Sequence, residues 1–196
     1  MILPIVAYGD PVLKRKAKDI PKDYPDLQQL IDNMFETMYN AHGVGLAAPQ
    51  IGKSIRLFIV DASPFAEDDN ISKEEKKELK IAKEVFINPT IKNEQGDEWD
   101  FNEGCLSIPE VREDVFRQPK IEIEYYDRDF NLKHKTLDGL YARVVQHEYD
   151  HIEGVLFTDK LSGLKKRLIK GKLKKISEGK IDVEYRMRFP KLKKNR

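Results

Sequence analysis

The sequence predicts a mixed α+β fold, with mostly antiparallel strands packed around a central helix that carries His-Glu-x-x-His. An N-terminal helix and a C-terminal basic helix complete it. Three observations predict this. Apolar residues recur at helical spacing near the start, strand-like runs dominate the middle, and helical spacing returns from Gly139 onward. Strands grouped between helices, rather than repeated strand–helix units, favour α+β over a βαβ plan. No internal repeat and no linker interrupts the 196 residues. The expectation is therefore a single domain over 1–196, with a basic helix and tail from about residue 163.

Taken in order, the opening "ILPIVAYGDPVL" is too short an apolar run to span a bilayer, which needs roughly 20 residues. No basic segment precedes it, so it does not read as a secretory signal. Over residues 26–42, Leu27, Leu30, Ile31, Met34, Phe35, Met38 and Tyr39 form one helical stripe, with Pro25 and Gly43 as start and stop signals. A Gly-rich turn leads to a strand over 55–61. Residues 62–79 are polar and charge-dense, and read as an exposed loop with at most a short helical turn and no chemistry. Strands are expected at 85–91, 120–127 and 131–137, the last two as a hairpin around 128–130. A helix is expected over 139–152. Residues 161–179 place Leu161, Leu164, Leu168 and Ile176 near one helical face, although Gly163 and Gly171 weaken that helix. Residues 181–189 alternate as a final strand.

Charged residues make up 35% and apolar residues 40%, which suits a soluble globular chain rather than a membrane-bound one. The single cysteine, Cys105, excludes an internal disulfide and fits a reducing cytoplasm. A net charge of +1 conceals an uneven spread. From Gly163 onward there are 14 Lys/Arg against 3 Asp/Glu, and before it 21 against 31. Such a basic end is either a solvated face or an electrostatic footprint for a polyanion such as RNA.

The helix over 139–152 contains "QHEYDH". Each residue turns about 100°, so His147 and His151 fall within about 40° of each other on one face. Two neutral imidazoles so placed can reach one divalent metal, and Glu148 beside them can act as general base without binding it. Tyr149 points nearly the opposite way. Asp150 either accepts a hydrogen bond from His147 or is an ordinary exposed carboxylate.

A catalytic site of this kind usually takes a third protein ligand. The long metalloprotease motif would put a histidine six residues after His151, but Phe157 stands there. Glu178 is conceivable but lies in a basic, exposed-looking segment. His134 lies between lysines, and His42 ends a helix, where a cation suits the dipole. Cys105, in "NEGCLSIPE", is favoured: thiolate suits zinc or ferrous iron. A buried structural cysteine is its ordinary alternative.

At this point the chain resembles a known family. "GVGLAAPQ" (residues 43–50), "EGCLS" (103–107) and "QHEYDH" (146–151) look like the three signature motifs of the peptide deformylases, in that family's order. "ILPIVAYGDPVL" and "GVLFTDKLS" are similar to it too, and the likeness covers roughly residues 2–165. The resemblance implies removal of the formyl group from the N-terminal formyl-methionine of newly made proteins. It implies one metal ion held by Cys105, His147 and His151, with ferrous iron native and zinc, nickel or cobalt as substitutes. Glu148 would be the general base. Gln50, through its side-chain amide, and Leu106, through its backbone N–H, would donate to the developing oxyanion, where one donor is worth about 2.7–4 kcal/mol. Gly45 would let an extended substrate pair closely with the loop. Val44, Leu140 and Val144 are expected to wall the methionine slot, and Arg112 to touch the peptide. The nascent formyl-methionyl polypeptide is the implied partner. Docking on the ribosome through the basic end is in doubt if residues 181–189 form a strand.

Two other readings stay open on the residues alone. One is a His-Glu-x-x-His metallopeptidase with a different third ligand. The other is a non-enzymatic RNA- or ribosome-binding module built on the basic end.

Overall fold

The computed structural model describes residues 1–190; the end of the expected basic tail, 191–196, lies outside them. Strand β1 (Ile5–Val6) leads into a 3-10 turn at Pro11–Lys14, capped where Asp10 Oδ1 accepts from Val12 N–H at 2.9 Å. Helix α1 (Leu27–Asn40) buries Leu27, Leu30, Ile31, Met34, Phe35 and Met38, the expected stripe. It ends two residues earlier than its spacing suggests. His42 takes the left-handed conformation at φ 55°, and Gly43 N–H closes the end on Met38 O at 2.9 Å.

The glycine-rich stretch is more than a turn. It forms strand β2 (Gly45–Ala47) and a 3-10 turn at Ala48–Ile51 before strand β3 (Leu57–Asp61). Residues 62–79 depart further from expectation. They form a 3-10 turn at Ser63–Glu67 and helix α2 (Lys73–Lys80), whose N-terminus is capped where Ser72 Oγ accepts from Glu75 N–H at 3.2 Å. Leu79 is fully buried. One apolar residue anchors a helix whose other faces are charged, so the polar composition hid it.

Five strands follow: β4 (Lys83–Gln95), β5 (Trp99–Cys105), β6 (Ile108–Arg117), β7 (Lys120–Tyr126) and β8 (Leu132–Leu137). The main sheet runs β2-β3-β4-β7-β8, every pair antiparallel, and β5 and β6 form a separate ribbon. The β7–β8 hairpin stands where it was expected. Helix α3 (Gly139–Ile152) contains the two histidines. Two carboxylates hold its first N–H groups: Asp138 Oδ1 accepts from Gly139 at 2.8 Å, and Glu75 Oε1 from Leu140 at 2.9 Å. Glu75 belongs to the segment read as an idle loop. Its negative charge there also suits the helix dipole.

Helix α4 (Gly163–Ser177) buries Ile169, Leu173 and Ile176, while Leu164 and Leu168 face solvent. The expected face was thus rotated. Gly163 and Gly171 point into open space, so they cost propensity but no packing. The final strand, β9 (Met187–Arg188), is shorter than expected and pairs in parallel with β1.

Period-two alternation in β3 explains how the layers assemble. Phe58 and Val60 pack toward α3 in one cluster, while Leu57 and Ile59 pack toward α1 in another. The sheet is therefore apolar on both faces. A third cluster joins β1, β6 and α4. Among the described residues no helix is long and apolar enough to cross a membrane.

Arg56, just before β3, ties the sheet to the end of α3. Its Nη1 meets Glu153 Oε1 at 2.5 Å, and Lys16 Nζ lies 2.8 Å from the other oxygen. Burial raises the Glu153 carboxyl, but the bonds from Lys16 and Arg56 win and hold it below the usual range. A depressed carboxylate stabilises the fold above its unfolded pKa and loses that contribution as pH falls through the folded value. Urea midpoints of wild type and Glu153→Gln should therefore differ at pH 7, begin to converge as pH falls below about 4, near the unfolded value, and meet once pH is below the lower folded value.

Candidate metal centre and active site

The site forms where the end of β5 meets the last turns of α3. Glu103 and Cys105 are two residues apart on β5, so both face the helix. His147 and His151 face back, their rings 5.0 Å apart. The ligand atoms of Cys105, His147 and His151 all lie within 4.8 Å of one another, and Cys105 Sγ is 3.4 Å from His151 Nε2. Two imidazole nitrogens and a sulfur at this spacing fit a divalent ion of borderline softness. His151 Nδ1 and Glu148 Oε2 are buried without hydrogen-bond partners among the described residues. Such orphaned atoms are uncommon in folded interiors and mark a place built for something other than stability.

The other candidates for third ligand do not reach the cluster. Phe157 is buried and stacks on the His147 ring, with centroids 6.2 Å apart. Glu178 pairs with Lys180 at 2.7 Å. His134 is exposed beside Glu124. His42 is exposed but lines the same cavity as Cys105.

Glu103 went unassigned in the sequence, although its motif was noted. It is 4% exposed and binds three cations or donors at once. Arg117 reaches it at 2.7 and 2.9 Å, Arg143 at 3.1 Å, and His147 Nδ1 at 2.9 Å. Burial opposes its charge, but His147 and Arg117 hold the carboxyl well below the usual range. The ionised carboxylate can only accept, so His147 donates through Nδ1 and turns its other nitrogen toward Cys105 and His151. Asp150 is neither partner to His147 nor free in solvent: it meets Arg117 Nη1 at 2.7 Å. Arg143 stacks on Trp99, 4.4 Å from the ring centre. No periodicity marks these residues, because a buried ion cluster looks in sequence like a polar surface.

Glu148 is buried, and burial pushes its carboxyl up to about 7. That value lies near working pH, where a base serves best. Burial lowers the His147 ring's affinity for a proton, but Cys105 and Glu103 override it and raise the pKa; burial and the neighbouring ring push His151 down. One ring of the pair is thus poised to share a positive charge. Gln50 is held by its own turn. Its Oε1 accepts from Ala47 N–H at 2.8 Å, which aims Nε2 at Cys105 Sγ, 3.4 Å away. Gly45 lies against Glu148: a Cβ there would come within 2.7 Å of Glu148 Cδ.

A cavity of about 520 Å³ opens over this cluster. Val44, Gly45, Gln50, Leu106, Arg112 and Val144 line it, together with Phe65, Phe101 and Tyr185. Leu140 does not. One turn before Val144, at the start of α3, it is buried in the core beside α2, whose Glu75 accepts from its N–H. Arg112 is on the exposed side, bonded to Asn102 Oδ1 at 2.9 Å. Phe65 comes from the segment expected to carry no chemistry.

This donor set beside a buried carboxylate places the chain among the metal-dependent hydrolases. The family model described as polypeptide deformylase matches residues 2–167, and the chain belongs to that family. It is 67% identical to the peptide deformylase of Christiangramia forsetii and 61% identical to that of Flavobacterium johnsoniae, over the whole of each chain. The crystal structure of a peptide deformylase from Legionella pneumophila is similar at a TM-score of 0.75 and 39% identity, covering 92% of this chain and 98% of that one. Arabidopsis thaliana peptide deformylase 1B, solved with an inhibitor, gives 0.76 and 34%, covering 91% and 92%.

Two variants test the architecture. Glu103→Ala leaves two buried guanidiniums without their carboxylate and should cost about 3–5 kcal/mol of unfolding free energy, measured by urea titration. Gly45→Ala should cost about 1–3 kcal/mol of unfolding free energy through overpacking, turn the Glu148 carboxyl away and lower turnover by at least about tenfold.

Proposed function

We propose that Cys105, His147 and His151 hold one divalent metal ion, ferrous iron natively, at a site that hydrolyses the formamide of N-terminal formyl-methionine. The convergence of one sulfur and two ring nitrogens beside Glu148 carries this reading. Zinc, nickel or cobalt fit the same donors. When bound, the ion supplies Lewis-acid chemistry, lowering the pKa of a water and polarising a carbonyl oxygen.

The chain's own residues do the rest. Glu148, with one carboxylate oxygen free, takes a proton from the attacking water and delivers it to the departing amine nitrogen. The formyl C–N bond breaks, and formate and a free methionyl amine leave. Gln50 Nε2 and Leu106 N–H donate to the oxygen that gains charge. The turn at Ala48–Ile51 fixes Gln50 beforehand, so no reorganisation is needed as charge develops. Val44, Val144 and Phe101 offer the apolar wall a methionine side chain needs. Arg112 reaches the peptide beyond it, and Gly45, on the edge strand β2, pairs with the peptide backbone.

The partner in this reading is the nascent chain in the cytoplasm. The lysines of α4 are mostly exposed and suit an anionic partner, but strand β9 follows the helix and pairs with β1, so docking on the ribosome through a protruding C-terminal helix is not part of this reading. We treat 1–196 as one domain, built around the α3 helix.

Formate release from a formyl-Met peptide, measured after anaerobic purification, tests the chemistry. Glu148→Ala should keep its metal and lose about 10²–10⁴-fold in turnover. Cys105→Ser should lose bound metal, read by elemental analysis. Full turnover in Glu148→Ala would remove the base assignment.

A further inference from the structure

Strands β5 and β6 are joined by only two residues, Leu106 and Ser107. Two-residue hairpin turns favour left-handed backbone at one or both positions, because that matches the twist of the strands. Neither Leu106 nor Ser107 has a positive φ, and the strand register shifts between Gly104 and Cys105. Cys105 and Ile108 pair across the turn, and its outward polar groups are fixed by other segments. Ser107 O accepts from Tyr8 N–H at 2.8 Å. Gln50 Nε2 lies 3.4 Å from Ser107 Oγ. Leu106 O accepts from the Tyr185 hydroxyl at 2.8 Å.

Tyr185 comes from the segment after α4, which has no part in the chemistry described above. That segment is anchored to the other end of the chain. Ile5 N–H donates to Arg186 O and Ala7 N–H to Arg188 O, both at 2.9 Å. The residue next to Tyr185 is therefore pinned by a strand pairing, and the ring packs with Leu106 in the α1 cluster. The same ring lines the cavity that contains Gln50, Cys105 and Glu148.

We propose that Tyr185 is a positioning residue for deformylation. Its hydroxyl fixes the Leu106 carbonyl, and with it the backbone of the residue assigned as an oxyanion donor. Its ring separately walls the substrate cavity. The inference rests on the donor assignment of Leu106 and Gln50. Without the hydroxyl, the turn keeps its fold but gains freedom, and a donor displaced by a fraction of an ångström stabilises the developing charge less well.

The test uses the full-length, metal-loaded enzyme and a formyl-Met tripeptide. Tyr185→Phe removes the hydroxyl and keeps the ring. It should lower kcat about tenfold, less than the 10²–10³-fold of losing a whole donor. KM, metal content and Tm should stay at wild-type values. Tyr185→Leu removes both and should show the same loss in kcat with KM raised severalfold. A kcat for Tyr185→Phe within twofold of wild type overturns the proposal, as does a loss that follows lowered metal content or Tm. Gln50→Ala, run alongside, separates the two levels. Full kcat in that variant removes Gln50 as a donor, while a loss there beside a wild-type kcat in Tyr185→Phe leaves the oxyanion reading standing and overturns the role of Tyr185 alone.

Discussion

The site depends on one buried carboxylate. Glu103 joins the β5–β6 ribbon to helix α3 by accepting from Arg117 on one side and from Arg143 and His147 on the other. Removing these charges from water costs several kcal/mol per ion, and the cost is offset only when nearly every donor finds an acceptor. Here that condition is close to met: Arg143 also donates to Val115 O at 2.9 Å and Trp99 O at 2.7 Å, and Arg117 to Asp150. Such a cluster tolerates one register between ribbon and helix. A shift by one residue would point Glu103 away from both guanidiniums. Because Cys105 follows two positions later, the register that satisfies the carboxylate also delivers the sulfur to the histidines.

The same cluster sets the electrostatics. Glu103 and Cys105 make the surroundings of His147 favourable to positive charge, whether proton or metal. Glu148, one residue away, is compensated only in part by His147 and Arg117, and burial prevails and drives its carboxyl up. Neighbouring groups with opposed tendencies are how a site divides acid–base roles. The sequence places His147 and Glu148 side by side, and only the fold separates their environments.

The legible parts of the sequence were those governed by period. The α1 stripe, the β7–β8 hairpin and the pair His147/His151 follow from 3.6- or 2-residue repeats. Elements held by sparse or polar anchors were missed. Helix α2 rests on Leu79, and the β5–β6 ribbon, held by Glu103 and Arg117 besides its apolar face, was not expected at all. Helix α4 buries Ile169 and Leu173 rather than Leu164 and Leu168, because long lysine stems blur the boundary of its apolar face. Leu140 looked like a pocket residue from its place below the histidines. Helix α2 decides otherwise, and its packing cannot be read from α3 alone.

The parallel pairing of β1 with β9 unites elements from opposite ends of the described chain. A contact of such large sequence separation carries a high loop-closure cost and forms late in folding. While the protein is being synthesised, the brace on the Leu106 turn cannot close until the last elements have left the exit tunnel. The brace therefore closes only after β9 itself has been made and freed to meet β1, so the turn that contains Leu106 is finished after the strands on either side of it.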